Sequence, residues 1–449
     1  MAPRLPRRQF LAAAGAATVA PFLARRAPAF LQEAGPGRPE KLRLACIGTA
    51  NRAGDNIAEV RHEQIAALCD VDRGFLARAQ GEFPEARAYA DFRALLADAD
   101  ALDLDGIVVA TPDHIHAAAT ALALGKGIPV YCEKPLTHTM EEARAIVALA
   151  RKAGVPTQMG TQIHATENYR RVVELVRAGA IGRVTAVDCW VTKSWGDGRL
   201  TPGAVAPETL DWTLWQGPVP EAPFIEGIHP ANWRRYWNYG TGTLGDMACH
   251  IMDLPVWALE LTGLRAMKMQ VQAEGPPVDA VGCPGWLEAT WSIPDTAVGG
   301  PLVLRWFDGG RQSPFVKEIG AKDGQDYHQR FSVCFQGTDG ALLANYDELL
   351  LWPQGRFEGF VPPARTIAPS PGHHREWLDA IREGKPNAPL CNFEYASRLT
   401  RIVLLGNVAY RAGVPIEFDF CDHQIDSDRT LEHLLSAPRR EGWALPSTA

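Results

Sequence analysis

Between residues 42 and 160, short apolar runs alternate with stretches of helical length, and no other feature of the chain narrows its fold as much. Leu42 to Ile47, Gln64 to Cys69, Gly106 to Ala110, Ile128 to Cys132 and Pro156 to Gly160 read as strands. Asp72 to Phe83, Phe92 to Ala97, Ile115 to Leu124 and Met140 to Ala153 read as the helices between them. Strands separated by helices of this length form βαβ units, and hence a parallel sheet. In open sheets of this kind the ligand crevice lies outside the carboxyl ends of the strands. The residues that end each strand are therefore the first candidates for chemistry.

The first strand runs into Gly48-Thr49-Ala50-Asn51-Arg52-Ala53. This follows the dinucleotide fingerprint G-x-G-x-x-G/A, whose small residues let backbone approach a pyrophosphate at a helix N-terminus. Ala50 departs from it, placing a methyl where the second glycine is expected. The second strand ends in Asp70, twenty-two residues after Gly48, where an acid binds the ribose hydroxyls of NAD and repels the extra phosphate of NADP. Asp72 could compete for that role and Arg73 could favour a phosphate; NAD is expected over NADP. The strand Gly106 to Ala110 ends in Thr111-Pro112-Asp113-His114-Ile115-His116. His114-x-His116 has no Cys or acid at ligand spacing beside it, so no metal is expected. The next strand stops on Glu133-Lys134-Pro135, an acid and a base delivered to the crevice, with Lys134 held extended by the proline that follows.

After Gly160-Thr161-Gln162 the texture changes. A helix (Glu167 to Ala178) leads into strands of period two: Met267, Met269, Val271 and Ala273 alternate with polar residues, as do Leu287, Ala289, Trp291 and Ile293, and Phe331, Val333 and Phe335. One packed and one wet face make a large, open, mostly antiparallel sheet. Residues 194–240 carry Trp195, Trp212, Trp215, Trp233 and Trp237. Most of these would staple a long loop, and one or two in a pocket would suit the C–H faces of a sugar. Gly245 to Asp253 reads as a helix approached through Gly240–Gly245, with Asp246, His250 and Asp253 at i, i+4 and i+7 on one face. Titratable residues aligned on an otherwise apolar helix point to catalysis.

At 449 residues the chain is too long for one ordinary core. A net charge of −7 with no basic stripe beyond the N-terminus excludes nucleic acid as a partner. Residues 1–30 hold five arginines and no acid. Arg7-Arg8 before Phe10-Leu11, an apolar run to Leu23 and Ala27-Pro28-Ala29 have the pattern of a twin-arginine (Tat) export signal with a cleavage site. The expected organisation is a signal at 1–29, a linker at 30–40, a nucleotide-binding domain at 41–160, a C-terminal α/β domain at 161–420 and a tail at 421–449. An exported, periplasmic product with no membrane segment once mature follows. The nine cysteines include no C-x-x-C pair, and cargo folded before export keeps them reduced and buried.

Taken together, the Gly48 loop, Thr111-Pro112 with His116, Glu133-Lys134-Pro135, Gly160-Thr161-Gln162 and Asp246-x-x-x-His250 resemble the Gfo/Idh/MocA oxidoreductases. The resemblance runs over residues 42–420 and includes Trp377 to Pro386 and Leu405 to Tyr410. It implies a Rossmann domain followed by an α/β domain whose open sheet forms a homodimer or homotetramer interface, with a sugar, polyol or glycoside as substrate. It implies that the cofactor is held by Gly48, Ala50, Asn51, Arg52, Asp70, Thr111, Pro112, His116, Glu133 and Gln162, with Glu133 at the nicotinamide ribose. Lys134 would hydrogen-bond the reacting hydroxyl, His250 would take its proton, and Asp246 would help orient the substrate. Export in the folded state further implies a tightly held cofactor. Two other readings stay open: a redox-neutral glycosidase or lyase working through a keto-sugar, and a binding protein without catalysis. Ala50 favours the last, and intact Lys134, Asp246 and His250 count against it.

Overall fold

The computed structural model describes residues 41–263, 267–297 and 299–447; the twin-arginine segment and the linker lie outside them. Six parallel strands form the first sheet: β1 (Arg43–Ile47), β2 (Gln64–Cys69), β3 (Arg87–Tyr89), β4 (Gly106–Val109), β5 (Val130–Cys132) and β6 (Thr157–Met159). Their order is β3-β2-β1-β4-β5-β6, so the chain reverses direction across the sheet between β1 and β4. That switch point is where a crevice opens at the strand ends. The short edge strand β3 has no apolar run to reveal it, since two of its three residues are exposed.

Nine strands form the second sheet: β7 (Val184–Trp190), β8 (Lys268–Glu274), β9 (Glu288–Ile293), β10 (Leu302–Phe307), β11 (Val333–Gly337), β12 (Ala341–Ala344), β13 (Leu349–Trp352), β14 (Ile416–Asp419) and β15 (Gln424–Ile425). The order is β13-β12-β11-β7-β10-β9-β8-β14-β15, antiparallel except where β10 lies beside β7. On β8, Met269 and Val271 are buried while Lys268, Gln270 and Gln272 are exposed, as period two requires. The buried face packs on the helix Phe393–Ala412, where Trp291 Nε1 also donates to the Ile402 carbonyl at 3.0 Å.

Two segments cross between the sheets in ways the local pattern does not announce. The helix His373–Glu383 lies on the first sheet, with Trp377, Leu378 and Ile381 in one cluster with Leu44, Val108 and Tyr131. A parallel sheet must be covered on both faces, and here the cover comes from more than two hundred residues later in the chain. Beyond residue 420 the chain is not a separate tail: β15 extends the second sheet, and Trp443 packs edge-on against Phe92 with ring centroids 5.9 Å apart. Eight of the nine cysteines are buried and none is paired. Among the described residues no helix is long and apolar enough to cross a membrane.

Candidate active site

The cleft at the strand ends of the first sheet has a cavity volume of about 440 Å³. Gly48, Ala50, Asn51, Arg52, Asp70, Thr111, Pro112, Glu133 and Gln162 all line it, together with Lys134, Asp246 and His250. Gly48 adopts φ +92°, and a Cβ there would lie 2.5 Å from the Ala110 carbonyl oxygen, so glycine is required for the turn. The helix Arg52–Val60 begins directly after this loop and turns its N-terminus to the cleft. Asp70 accepts from the Thr49 amide and hydroxyl, both at 2.9 Å, and from the Asp72 amide at 2.9 Å, which aims its carboxylate. Its two sequence neighbours are used elsewhere. Asp72 caps the helix Arg73–Glu82 through Gly74 and Phe75 and faces His229 at 3.3 Å, while Arg73 donates to the Glu208 carbonyl.

Glu133 is a buried carboxylate with four donors. Arg52 Nε (2.9 Å), Asn56 Nδ2 (3.0 Å) and Gln162 Nε2 (2.8 Å) donate to Oε1, and the Lys134 amide donates to Oε2. Burial alone would raise its pKa; the charges of Arg52 and Lys134 and these hydrogen bonds hold it at about 2. Gly160 makes the room, because a Cβ there would stand 2.8 Å from the carboxyl group. Asn56 carries the network one step further, to His374 Nε2 at 2.9 Å.

Asp246 comes from the helix Gly242–Ile251, which starts three residues before the Gly245 that its sequence suggested. Its Oδ1 accepts from Lys134 Nζ at 2.7 Å and Arg234 Nε at 2.9 Å; its Oδ2 accepts from Trp195 Nε1 at 2.7 Å and Lys193 Nζ at 3.1 Å. Both oxygens are saturated, so this side chain holds cations in place and has no lone pair left for a sugar hydroxyl. Burial pushes its pKa up, but the three cations outweigh burial and keep it well below the usual carboxylate range.

His250 lies one turn further along the same helix. Burial, reinforced by the charge of Lys134, lowers its pKa to about 3, so the imidazole is neutral. Its Nδ1 is buried without a partner, as is Thr111 Oγ1. Asp253 lies beyond this helix, which ends at Ile251, and opens the next one, Asp253–Ala258, so the expected alignment at i+7 is not realised on one helix. There it is fully buried, accepts from Tyr395 OH at 2.6 Å and meets His164 Nδ1 at 2.9 Å, outside the cleft. His116 does not line the cleft either. Its ring nitrogens face the carbonyls of Pro135 (2.7 Å) and Thr111 (2.8 Å), so it ties two strand ends together and acts through them. His114 likewise faces the Trp215 and Tyr239 carbonyls, and the two histidines form no metal pair.

Lys193, Trp195, Arg234, Tyr346 and Trp443 belong to this site and were not singled out by their sequence as site residues with a role. Of the five tryptophans in residues 194–240, Trp215 and Trp233 line the cleft, and Trp212 stacks on Trp215 at 4.7 Å. The loop is tied across the end of β2 by a bridge between Asp72 and Leu210 and by hydrogen bonds from Arg73 N to Thr209 O (2.9 Å) and Asp211 N to Val71 O (3.0 Å).

A nicotinamide dinucleotide fits these residues: a glycine turn that no Cβ could enter, a helix N-terminus, an aimed strand-end carboxylate and an orphaned hydroxyl at Thr111. Comparison with known proteins agrees. The pattern described as "Oxidoreductase family, NAD-binding Rossmann fold" matches residues 42–161, and "Oxidoreductase family, C-terminal alpha/beta domain" matches residues 175–328. Levoglucosan dehydrogenase of Pseudarthrobacter phenanthrenivorans is 24% identical over 317 residues, 68% of this chain and 72% of that protein. Inositol 2-dehydrogenase of Leifsonia xyli subsp. xyli is 32% identical over 148 residues, 32% of this chain and 42% of that protein. Among solved structures, the WlbA dehydrogenase of Bordetella pertussis, in complex with NADH and UDP-GlcNAcA, superposes with a TM-score of 0.58 at 17% identity, covering 84% of this chain and 98% of that one. A levoglucosan dehydrogenase in complex with NADH gives a TM-score of 0.56 at 17% identity, covering 84% and 99%.

Proposed function

The chain belongs to the Gfo/Idh/MocA oxidoreductase family, and on that premise we propose that it moves a hydride between a sugar or polyol hydroxyl and a tightly held NAD. The observation that carries this reading is the meeting of Lys134 and His250 in one cleft with the nucleotide-binding loop. Bound NAD supplies the hydride acceptor. Lys134, held by Asp246 Oδ1 and by the Asp246 carbonyl at 2.7 Å each, donates to the reacting hydroxyl oxygen and stabilises the charge that develops on it. His250, neutral and with an unpartnered Nδ1, takes the hydroxyl proton. A proton held there is held weakly, which suits a group that returns it when the hydride comes back. Glu133 fixes Arg52, Asn56 and Gln162 around the nicotinamide end, and Asp70 selects NAD over NADP.

The loop tied across β2 and the ring of Trp443 both line the cleft, which supports retention of the cofactor between turnovers. Retention also favours the second reading, a redox-neutral glycosidase or lyase in which the hydride removed is later restored. The exposed polar residues along β8 support assembly into a homodimer or homotetramer through this sheet. The twin-arginine pattern supports export to the periplasm, which N-terminal sequencing of the secreted protein would test. For the main reading, protein purified without added nucleotide is expected to release NAD or NADH on denaturation. A panel of sugars and glycosides should then produce NADH absorbance in single turnover. Empty protein that binds NAD weakly and reversibly would defeat retention, and no reduction by any polyol or sugar would defeat the dehydrogenase.

A further inference from the structure

Charges at the substrate end of the cleft do not balance. Lys134, Lys193 and Arg234 all lean on one carboxylate, Asp246. The other acids of the cleft wall make no ion pair with these three cations: Glu133 pairs with Arg52, Asp91 with Arg93, Asp70 accepts from Thr49, and Asp113 accepts from the Thr241 hydroxyl at 2.8 Å, although Glu133 and Asp113 are near enough for Lys134 to act on both through its charge. Three cations thus share one contacting carboxylate, and the outer two are not hidden. Side-chain exposure is 10% for Lys134 but 21% for Arg234 and 44% for Lys193, so the cations beyond the reacting one reach furthest into open space.

Their directions are also set. The Arg234 guanidinium lies over the Trp233 ring at 4.1 Å and the Trp195 ring at 5.5 Å, and Lys193 Nζ lies 5.0 Å from the Trp195 centroid. Cations stacked on indoles are oriented without being neutralised. Had the cluster served only to place Lys134, Asp246 alone would suffice, and two further cations would oppose the positive charge already there. They are better explained by an anion that arrives with the substrate.

We propose that the substrate is a sugar acid, its carboxylate seated on Lys193 and Arg234 while Lys134 and His250 address a neighbouring hydroxyl. This rests on the cleft being a dehydrogenase site. A guanidinium fork pairs with a planar carboxylate through two parallel hydrogen bonds, and an ammonium adds a third. Specificity in this site is then decided by charge on the sugar, with Lys193 and Arg234 as its determinants.

The test uses the full chain loaded with NAD and matched pairs: glucuronate against glucose, galacturonate against galactose, and glucose 6-phosphate as the phosphate arm. Each cation–carboxylate contact is expected to contribute about tenfold or more, so the acid should exceed its neutral partner by roughly 100-fold in the second-order rate constant for reduction of the bound NAD in single turnover. Lys193→Gln and Arg234→Gln should each cost the acid about tenfold, mainly through the half-saturating substrate concentration of that single turnover, and the neutral sugar less. Equal or better use of the neutral partners overturns the proposal, as does preference for the phosphate or an equal loss for acid and neutral sugar in both variants. Calorimetric binding to the NADH-loaded protein separates this from failure of the dehydrogenase reading. Where no sugar reduces NAD, tighter binding of the acid, weakened by Lys193→Gln, upholds the anion subsite, and indifference to charge removes it.

Discussion

Glu133 and Asp246 are two buried carboxylates on opposite sides of one cleft, and their surroundings differ in kind. Glu133 is satisfied by one guanidinium, two side-chain amides and a backbone N–H. Asp246 has three cations and an indole. On the nucleotide side the fold completes its own charge balance, so the network is rigid before any ligand arrives. On the substrate side three cations share one carboxylate, and the proposed substrate anion would complete that network. The contrast shows that equal burial and similar pKa direction do not mean equal roles; the identity of the donors decides.

The sharpest way to break the contrast is kinetic. His250→Ala should slow NAD reduction by about 10²–10⁴-fold, as loss of a positioned base does. Lys134→Ala should be at least as severe, and the double variant should fall well short of the product of the two losses. Stopped-flow absorbance of reloaded enzyme reads all three, and near-normal rates in both single variants would move the chemistry elsewhere. Next in size is stability. Asp246→Ala strands Lys134 beside Arg234 and should cost about 3–5 kcal/mol in urea unfolding. Glu133→Gln, which keeps the hydrogen-bonding shape and strands one half-exposed guanidinium, should cost less; a larger loss there would reverse the assignment of which side is charge-dependent.

Acidification probes the buried imidazoles on both sides. His114 and His250 are lowered to about 3 and His374 to about 4, each chiefly by burial. Below an ordinary value near 6.5 the unfolded chain binds these protons and the folded chain does not. Stability should therefore fall as pH drops from about 6.5 towards 4. Asp308, raised to about 7 by burial, works against this in the same window. The net loss between pH 6.5 and 5.5 should be about 1–3 kcal/mol by urea titration; a flat profile would mean that the histidines are solvated. The rate of NAD reduction should show no inflection near pH 6.5 from His250.

Smaller still, Asp70→Ala should shift the NAD-to-NADP preference by about tenfold in titrations of emptied protein. Wild-type protein that binds NADP more tightly would remove Asp70 from its role. Gly54→Ala is the mildest change. Its Cβ would meet nothing nearer than the Thr49 carbonyl at 3.8 Å, so unfolding should show a gain of up to about 1 kcal/mol from helix propensity.

Order along the chain was enough to locate the strand ends Gly48, Asp70, Thr111 and Glu133-Lys134, because a parallel sheet buried on both faces writes itself as apolar runs and delivers every strand end to one edge. Period two likewise announced the second sheet. Tertiary structure alone decided the rest. Lys193 and Arg234 reach Asp246 across 53 and 12 residues of chain, and no periodicity links a strand exit, a short loop turn and a helix. The same limit hid the origin of the cover on the first sheet, the arrival of Trp443 at the cleft and the withdrawal of Asp253 and His116 from it. Periodicity reports which face of an element is buried; depth along that face, and the charges that other segments bring to it, are set only when the elements pack.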